Sequence, residues 1–232
     1  MYNRIIELNQ QFEDAAPEEV ISWFAKEYKN KVTFSTSLGI EDQMITHIIA
    51  TLHLPVNIFT LDTGRLFQET YDTLSITEKK YGIPIKLFFP DANHVEEMVK
   101  NKGINLFYES VEARKLCCYI RKIEPLKRAL SGMTIWITGL RREQSPTRQD
   151  VQLVEWDTTH QMIKVNPLIQ WTLKDVSEFV RKNYIPVNEL HQKNFPSIGC
   201  MPCTRAVQPG EDLRAGRWWW EISQNKECGL HK

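Results

Sequence analysis

Four of the chain's five cysteines fall in two tight pairs, Cys117-Cys118 and Cys200-Met201-Pro202-Cys203, separated by residues 119–199. Paired soft donors in an otherwise cysteine-poor chain point to ligands around one metal centre. Their spacing bears on which centre. Structural zinc usually draws C-x₂₋₄-C from both halves of its site, so that two thiolates close on one tetrahedral ion. Adjacent cysteines suit that badly, because neighbouring side chains diverge by about 100° on a helix or point to opposite faces of a strand. A cubane presents separate iron corners, and diverging neighbours can each take one, so a Cys₄ [4Fe–4S] cluster is the better fit. Three other readings compete. They are a dithiol redox pair at Cys200 and Cys203, which lacks a βαβ start around it, a structural zinc site, and four unrelated buried thiols. One cysteine, Cys228, is left over.

A second set of polar residues falls where short apolar runs end. Val32-Thr33-Phe34 leads into Ser35-Thr36-Ser37-Leu38-Gly39, Val56–Thr60 into Leu61-Asp62-Thr63-Gly64, and Ile135–Thr138 into Gly139-Leu140-Arg141-Arg142. A helix N-terminus after the first run offers free backbone N–H groups to an anionic oxygen. Taken singly, these segments read as an N-cap, a turn and a solvated basic face. Together, at the carboxyl ends of parallel strands, they describe a site for an anionic nucleotide.

The elements that position these residues follow from periodicity. Helices are expected over 3–12 and 17–29, the second with Pro17 in its first turn and Val20, Ile21, Phe24 and Tyr28 at helical spacing. Strands over 32–34, 56–60, 85–89 and 135–138 alternate with helices ending near Leu52 and Tyr81-Gly82 and with one continuous helix over 112–130 carrying Cys117-Cys118. The expected fold is therefore α/β, an open, mostly parallel twisted sheet with helices on both faces. Beyond this core, 152–156 and 162–165 read as a short strand pair, and Thr172 caps a helix running to Asn183. Residues 1–205 are expected to form one domain, with 206–232 a mobile tail carrying Cys228.

Composition excludes several classes. The chain has 232 residues, 42% hydrophobic and 25% charged, with 29 basic and 29 acidic side chains. That balance argues against a general nucleic-acid binder, while leaving room for a local basic pocket. No signal-type apolar segment opens the sequence and no run of about 18 apolar residues occurs, so a cytoplasmic protein without a membrane span is expected. Reduced thiols fit that compartment.

The order of motifs adds a resemblance. Ser35-Thr36-Ser37 with Glu41-Asp42, Leu61-Asp62-Thr63-Gly64, Cys117-Cys118, Thr138–Ser145, Ser197–Thr204, Gly216-Arg217-Trp218-Trp219-Trp220 and Glu227-Cys228-Gly229-Leu230-His231 resemble the motif set of assimilatory sulfonucleotide reductases. The likeness is to the cluster-containing branch, the bacterial adenylyl-sulfate reductases, and runs from about residue 30 to the end. It implies an adenine-nucleotide α-hydrolase-like (PP-loop type) fold, one [4Fe–4S] cluster on Cys117, Cys118, Cys200 and Cys203, and a nucleophile at Cys228. Reduction of adenosine 5′-phosphosulfate to sulfite and AMP is implied, with thioredoxin or a glutaredoxin-like protein as reductant. Nucleotide contacts are implied at Ser35, Ser37, Leu61 and Gly139, and basic contacts to the substrate's anionic groups at Lys122, Arg148, Arg214 and Arg217. Both cysteine pairs favour the substrate without a 3′-phosphate, and acceptance of 3′-phosphoadenylyl sulfate stays open, as does a homo-oligomer. An ATP pyrophosphatase or tRNA-thiolating enzyme of the same fold is the runner-up, although its S-G-G-x-D-S loop is not matched by Ser35-Thr36-Ser37-Leu38-Gly39. A non-enzymatic iron–sulfur sensor would leave Cys228 and the strand-end residues without a role.

Overall fold

The computed structural model describes residues 2–145 and 148–221. Two helices open the chain, α1 (Tyr2–Gln11) and α2 (Pro17–Glu27). Pro17 stands at the start of α2, where a missing N–H costs nothing, and the Ala16 N–H donates to the Glu19 carboxylate at 3.1 Å. Val20, Ile21, Phe24 and Ala25 make its buried face.

Alternation of strand and helix then follows: β1 (Val32–Ser35), α3 (Ile40–Thr51), β2 (Asn57–Leu61), α4 (Gln68–Tyr81), β3 (Lys86–Phe88), α5 (Ala92–Lys102), α6 (Val111–Cys118), α7 (Glu124–Leu130) and β4 (Ile135–Ile137). The last elements are β5 (Val154–Asp157), β6 (Met162–Val165) and α8 (Leu173–Lys182). The six strands form one helix-flanked sheet in the order β3-β2-β1-β4-β6-β5. β1 runs parallel to both β2 and β4, aligning Phe34 with Ile58 on one side and with Ile137 on the other. β6 is parallel to β4, and β5 is antiparallel to β6. Chain order thus reverses direction at β1, and a crevice outside the carboxyl ends of β1 and β4 is the expected ligand position in such a sheet. Central strand residues are buried without alternation, as Ile135, Trp136 and Ile137 illustrate, because both faces of a parallel sheet are covered.

Four expectations change. The helix predicted over 112–130 is interrupted by a π turn at Tyr119–Ile123, directly after the tandem cysteines. Pro125 explains the break: it has no N–H for the carbonyl four residues back, and its ring crowds that carbonyl. The helix α5 was not expected. Its start is marked by Asp91, whose side chain accepts the N–H groups of Asn93 and His94 at 3.0 and 3.3 Å, and its end by Gly103 at φ 76°. Strands β5 and β6 are not an appendage but extend the main sheet through β6. Finally, within the expected tail Gly216, Arg217 and Trp218 are buried, Trp218 only 1% exposed, while 208–213 are exposed. A tryptophan hides more apolar surface than any other side chain it could replace, which holds this stretch down. The remainder of the expected tail, with Cys228 and His231, lies outside the described residues.

The chain divides into two interleaved compact units. The first takes Met1–Thr60, Asp72–Lys86 and Gly132–Asn188, and contains most of the sheet. The second takes Leu61–Tyr71, Leu87–Ser131 and Glu189–Lys232. Its core gathers Met98, Leu106, Phe107, Cys203 and Trp218, with Cys117, Cys200, Ala113, Ile120 and Trp220 packed against them.

Candidate active site

In the first unit, β1 delivers Ser35, whose hydroxyl accepts the indole N–H of Trp136 at 2.9 Å. The Thr36 N–H still pairs with the Phe59 carbonyl at 2.8 Å, and the chain then turns sharply. Leu38 sits at φ +61°, a left-handed conformation that costs a non-glycine residue on the order of 1 kcal/mol. Its side chain is buried, and its N–H donates to Thr36 Oγ1 at 3.0 Å. Gly39 then opens α3, leaving the helix's first N–H groups without a side-chain cap.

Asp42, in the first turn of α3, organises this loop. Its Oδ2 accepts both the N–H and the hydroxyl of Ser37, each at 2.6 Å. Burial pushes its carboxyl up to about 7, against the pull of the two Ser37 hydrogen bonds, and neighbouring Glu41 adds to the rise. Gly139 is glycine for a reason visible here: a Cβ at that position would overlap Asp42 Oδ1. Ser37 and Gly139, both expected from sequence, therefore meet the same carboxylate. The basic run after Gly139 is less free than its sequence implies. Arg141, 2% exposed, is paired with Glu41 at 2.9 Å and Glu143 at 2.7 Å. Arg148 donates to Gln144 Oε1.

In the second unit, Leu61 is half-buried and leads into the turn Asp62-Thr63-Gly64. Asp62 Oδ1 accepts the Gly64 N–H at 2.8 Å and the Tyr71 hydroxyl at 2.9 Å, and Gly64 adopts φ +68°. Burial, reinforced by Asp62, pushes the Tyr71 phenol up to about 12, so it stays a donor. Thr63 Oγ1 lies 3.2 Å from Cys200 Sγ, and its carbonyl accepts from Arg121 at 2.6 Å.

Both cysteine pairs belong to this unit. Cys117 and Cys118 end α6, while Cys200 and Cys203 bracket a single 3₁₀ turn closed by a 2.9 Å bond from the Cys203 N–H to the Cys200 carbonyl. All four line one small pocket, together with Arg65, Arg114, Arg121, Lys122, Phe107 and Pro202. Burial pushes the Cys203 thiol up to about 12 and raises Cys117 as well, so thiolates here call for compensating positive charge. Three arginines and Lys122 on the same wall supply cations, and a metal would supply more. Among the described residues no group of three or more His, Cys, Asp or Glu is arranged so that it could hold a metal ion. Four thiols lining one pocket match the soft donor set that a polynuclear cluster would take.

Arg217 is buried against this region. It donates to Ser197 Oγ at 3.4 Å and to the Ile198 carbonyl at 3.2 Å, and its guanidinium lies 4.7 Å from the centre of the Trp218 ring. A side chain at Gly199 would overlap it, and its Nε–H meets no acceptor among the described residues. Arg214 is half-buried, its N–H held by Asp212 at 2.8 Å. Of the expected site residues, Ser35, Ser37, Gly139 and Arg148 belong to the first unit; Leu61, Lys122, Arg214, Arg217 and the four cysteines belong to the second. Asp42 and Thr63 stand inside motifs read from the sequence but were given no role there, and Arg114 and Arg121 lie close to the tandem cysteines without being singled out; only folding shows which atoms they touch.

Residues 31–206 match the phosphoadenosine phosphosulfate reductase domain family. The chain belongs to that family. An adenosine 5′-phosphosulfate reductase of Allochromatium vinosum is 48% identical over 219 residues, 94% of this chain and 85% of the relative. The reductase of the same name in Agrobacterium fabrum is 51% identical over 201 residues, 87% of this chain and 77% of its own length. The crystal structure of the phosphoadenylyl-sulfate reductase from Candida auris, a family member in its phosphate complex, superposes with a TM-score of 0.77 at 26% identity, over 89% of this chain and 98% of that one. An FMN adenylyltransferase of Candida glabrata, at 15% identity and a TM-score of 0.57 over 96% of this chain and 78% of its own, shares the fold alone. The expected reductase family and the open, mostly parallel α/β fold of PP-loop type are thereby borne out. No helix among the described residues is long and apolar enough to cross a membrane.

Proposed function

We infer that the chain is an oxidoreductase of assimilatory sulfate reduction that converts adenosine 5′-phosphosulfate to sulfite and AMP. The observation that carries this reading is identity of 48–51% with proteins of that activity over at least 87% of the chain. The cysteine-lined cavity is the feature on this chain that fits it.

The finer chemistry is proposed from the residues. Cys117, Cys118, Cys200 and Cys203 would hold one [4Fe–4S] cluster, which would supply fixed local charge and a covalent tie between the two cysteine segments. Ser35, Ser37, Leu61 and Gly139 would contact the nucleotide, and Lys122, Arg148, Arg214 and Arg217 its phosphosulfate. The spare, buried N–H of Arg217 supports that role, since an anion would give it the acceptor it lacks. The Cys228 thiolate attacks the sulfuryl sulfur, the sulfur–oxygen bond to the phosphate breaks, and AMP leaves with that electron pair. An S-sulfonate remains on Cys228. A thiolate of thioredoxin then attacks the Cys228 sulfur and expels sulfite, and its second thiol resolves the mixed disulfide. The dithiol thus supplies both electrons. Cations around the phosphosulfate offset the repulsion between an anionic nucleophile and an anionic substrate. Such a thiol-exchange cycle belongs in the cytoplasm, where dithiol reductants are kept reduced.

Mass spectrometry after mixing with adenosine 5′-phosphosulfate, without reductant, tests the reading. A mass increase of one sulfo group on the peptide containing Cys228 is expected, and Cys228→Ser should abolish it while retaining iron. Pyrophosphate release from ATP instead, with no sulfonated peptide, would indicate the ATP-pyrophosphatase reading.

A further inference from the structure

The strand pair β5–β6 closes around one side chain of β4. In the sheet register Trp136 stands beside Lys164 on β6, and Lys164 beside Glu155 on β5, so the three side chains leave one face of the sheet in a row. Lys164 Nζ lies 6.0 Å from the centre of the Trp136 ring and 3.5 Å from the Glu155 carboxylate, which also accepts from Asn166 Nδ2 at 2.9 Å. The turn between the same strands supplies His160, whose ring meets the indole edge-on, with centres 5.4 Å apart. Asp157 fixes that ring. Its Oδ2 lies 3.0 Å from His160 Nδ1, and its Oδ1 accepts the N–H groups of Thr159 and His160, each at 2.9 Å. The indole, 1% exposed, is held by these neighbours.

The indole N–H reaches the Ser35 hydroxyl at 2.9 Å. Indole is a donor only, so the hydroxyl oxygen accepts in this bond and its own proton remains for a second partner. No described residue takes that proton. Ser37, two residues on, is in the opposite state. Its hydroxyl proton goes to Asp42 Oδ2 at 2.6 Å, which leaves the oxygen's lone pairs to accept. Two serines that look equivalent in sequence are thus set to opposite polarity by buried partners on β4 and α3.

We propose that Trp136 is a positioning residue that presents Ser35 to the nucleotide as a hydrogen-bond donor, beside Ser37 as an acceptor. This rests on the reading that both serines contact the adenylate. The atom opposite Ser35 is then an acceptor, a ring nitrogen or an oxygen of the adenylate, and the group opposite Ser37 carries a proton. Without the indole N–H the Ser35 hydroxyl is free to rotate and to aim its proton elsewhere, so affinity falls through Ser35 alone. A merely structural tryptophan would lower affinity whether or not a hydroxyl stood at position 35.

Calorimetric titration of AMP into the full-length, iron-loaded protein tests this. Ser35→Ala should raise the Kd about three- to tenfold, the worth of one hydrogen bond. Trp136→Phe keeps an aromatic ring against His160 and loses the N–H, and should raise the Kd about threefold in the parent background. In the Ser35→Ala background it should add nothing, so that the two changes together cost no more than Ser35→Ala alone. A loss in the Ser35→Ala background as large as in the parent, or parental affinity in Trp136→Phe, would overturn the proposal. If Trp136→Phe does not fold, benzothienylalanine placed at position 136 alone stands in. Its sulfur replaces the indole N–H at nearly the same shape, and the same two outcomes decide. Trp23→Phe, within the aromatic cluster that Trp23 forms with Phe12 and Phe24, is the control and should leave the Kd at the parental value. A parent protein that bound no AMP, or a Ser35→Ala protein that bound it as tightly as the parent, would overturn the underlying reading of the loop instead, separately from the role of Trp136.

Discussion

The loop after β1 and the cysteine cavity solve opposite electrostatic problems. In the first, a buried carboxylate is the organiser: Asp42 collects the Ser37 N–H and hydroxyl, and Gly139 makes room for it. The nearby cation, Arg141, is already neutralised by Glu41 and Glu143. In the second, sulfur is the organiser, and Arg65, Arg114, Arg121 and Lys122 line the wall around it. One region holds its shape with anions and leaves uncapped backbone N–H groups at the start of α3. The other is lined by cations, of which Arg114 is paired with Glu221, and has thiols that burial keeps from ionising readily.

The strongest way to break this comparison is Cys200→Ser. A hydroxyl neither matches the softness of a thiolate nor ionises as readily, and the change also removes the sulfur 3.2 Å from Thr63 Oγ1. Iron content and sulfite formation should fall together, by about a hundredfold or more in rate, whereas full turnover by an iron-free variant would show the sulfur region to be dispensable. Gly139→Ala strikes the opposite region. Its methyl group would push into the Asp42 carboxylate, costing about 1–3 kcal/mol of stability and raising the KM for adenosine 5′-phosphosulfate. Iron per chain should stay at the parent level. A variant that instead lost iron with its substrate affinity intact would erase the distinction drawn between the two regions.

How legible these regions were in sequence follows the same division. Cys117-Cys118 and Cys200-x-x-Cys203 announced themselves, because few other uses exist for two tight thiol pairs in a reduced protein. Strands β1, β2 and β4 were legible as apolar runs ending in Ser, Asp or Gly. Asp42 was not, since an acidic residue in a helix's first turn is ordinary, and only its Ser37 contacts and its closeness to Gly139 set it apart. The π turn at Tyr119–Ile123 was hidden because the helical periodicity continues across it, although Pro125 was a signal that could have been read. Helix α5 was missed although Asp91 and Gly103 mark both its ends. Arg114 was unreadable in principle: its partner Glu221 is distant in sequence, and nothing local distinguishes it from a solvated arginine.

The finest discrimination comes from Asp42→Asn, which keeps the shape and removes the titration. The folded-state carboxyl titrates near 7 against an ordinary value of 3.8, so the folded chain holds a proton that the unfolded chain has already released. Protonation therefore contributes stability that is complete below about pH 4 and is lost as pH rises through about 7, a swing on the order of 1–4 kcal/mol. Asparagine cannot ionise, yet its carbonyl can still accept from Ser37. Thermal unfolding of the iron-loaded proteins should thus show the parent losing stability between about pH 4 and 7 relative to the variant, with the variant the more stable at pH 8. Parallel profiles would mean that the Ser37 hydrogen bonds, not burial, dominate, and that Asp42 is charged throughout. The loop after β1 would then be held by a permanent anion, and its contrast with the cation-lined cavity would be sharper still.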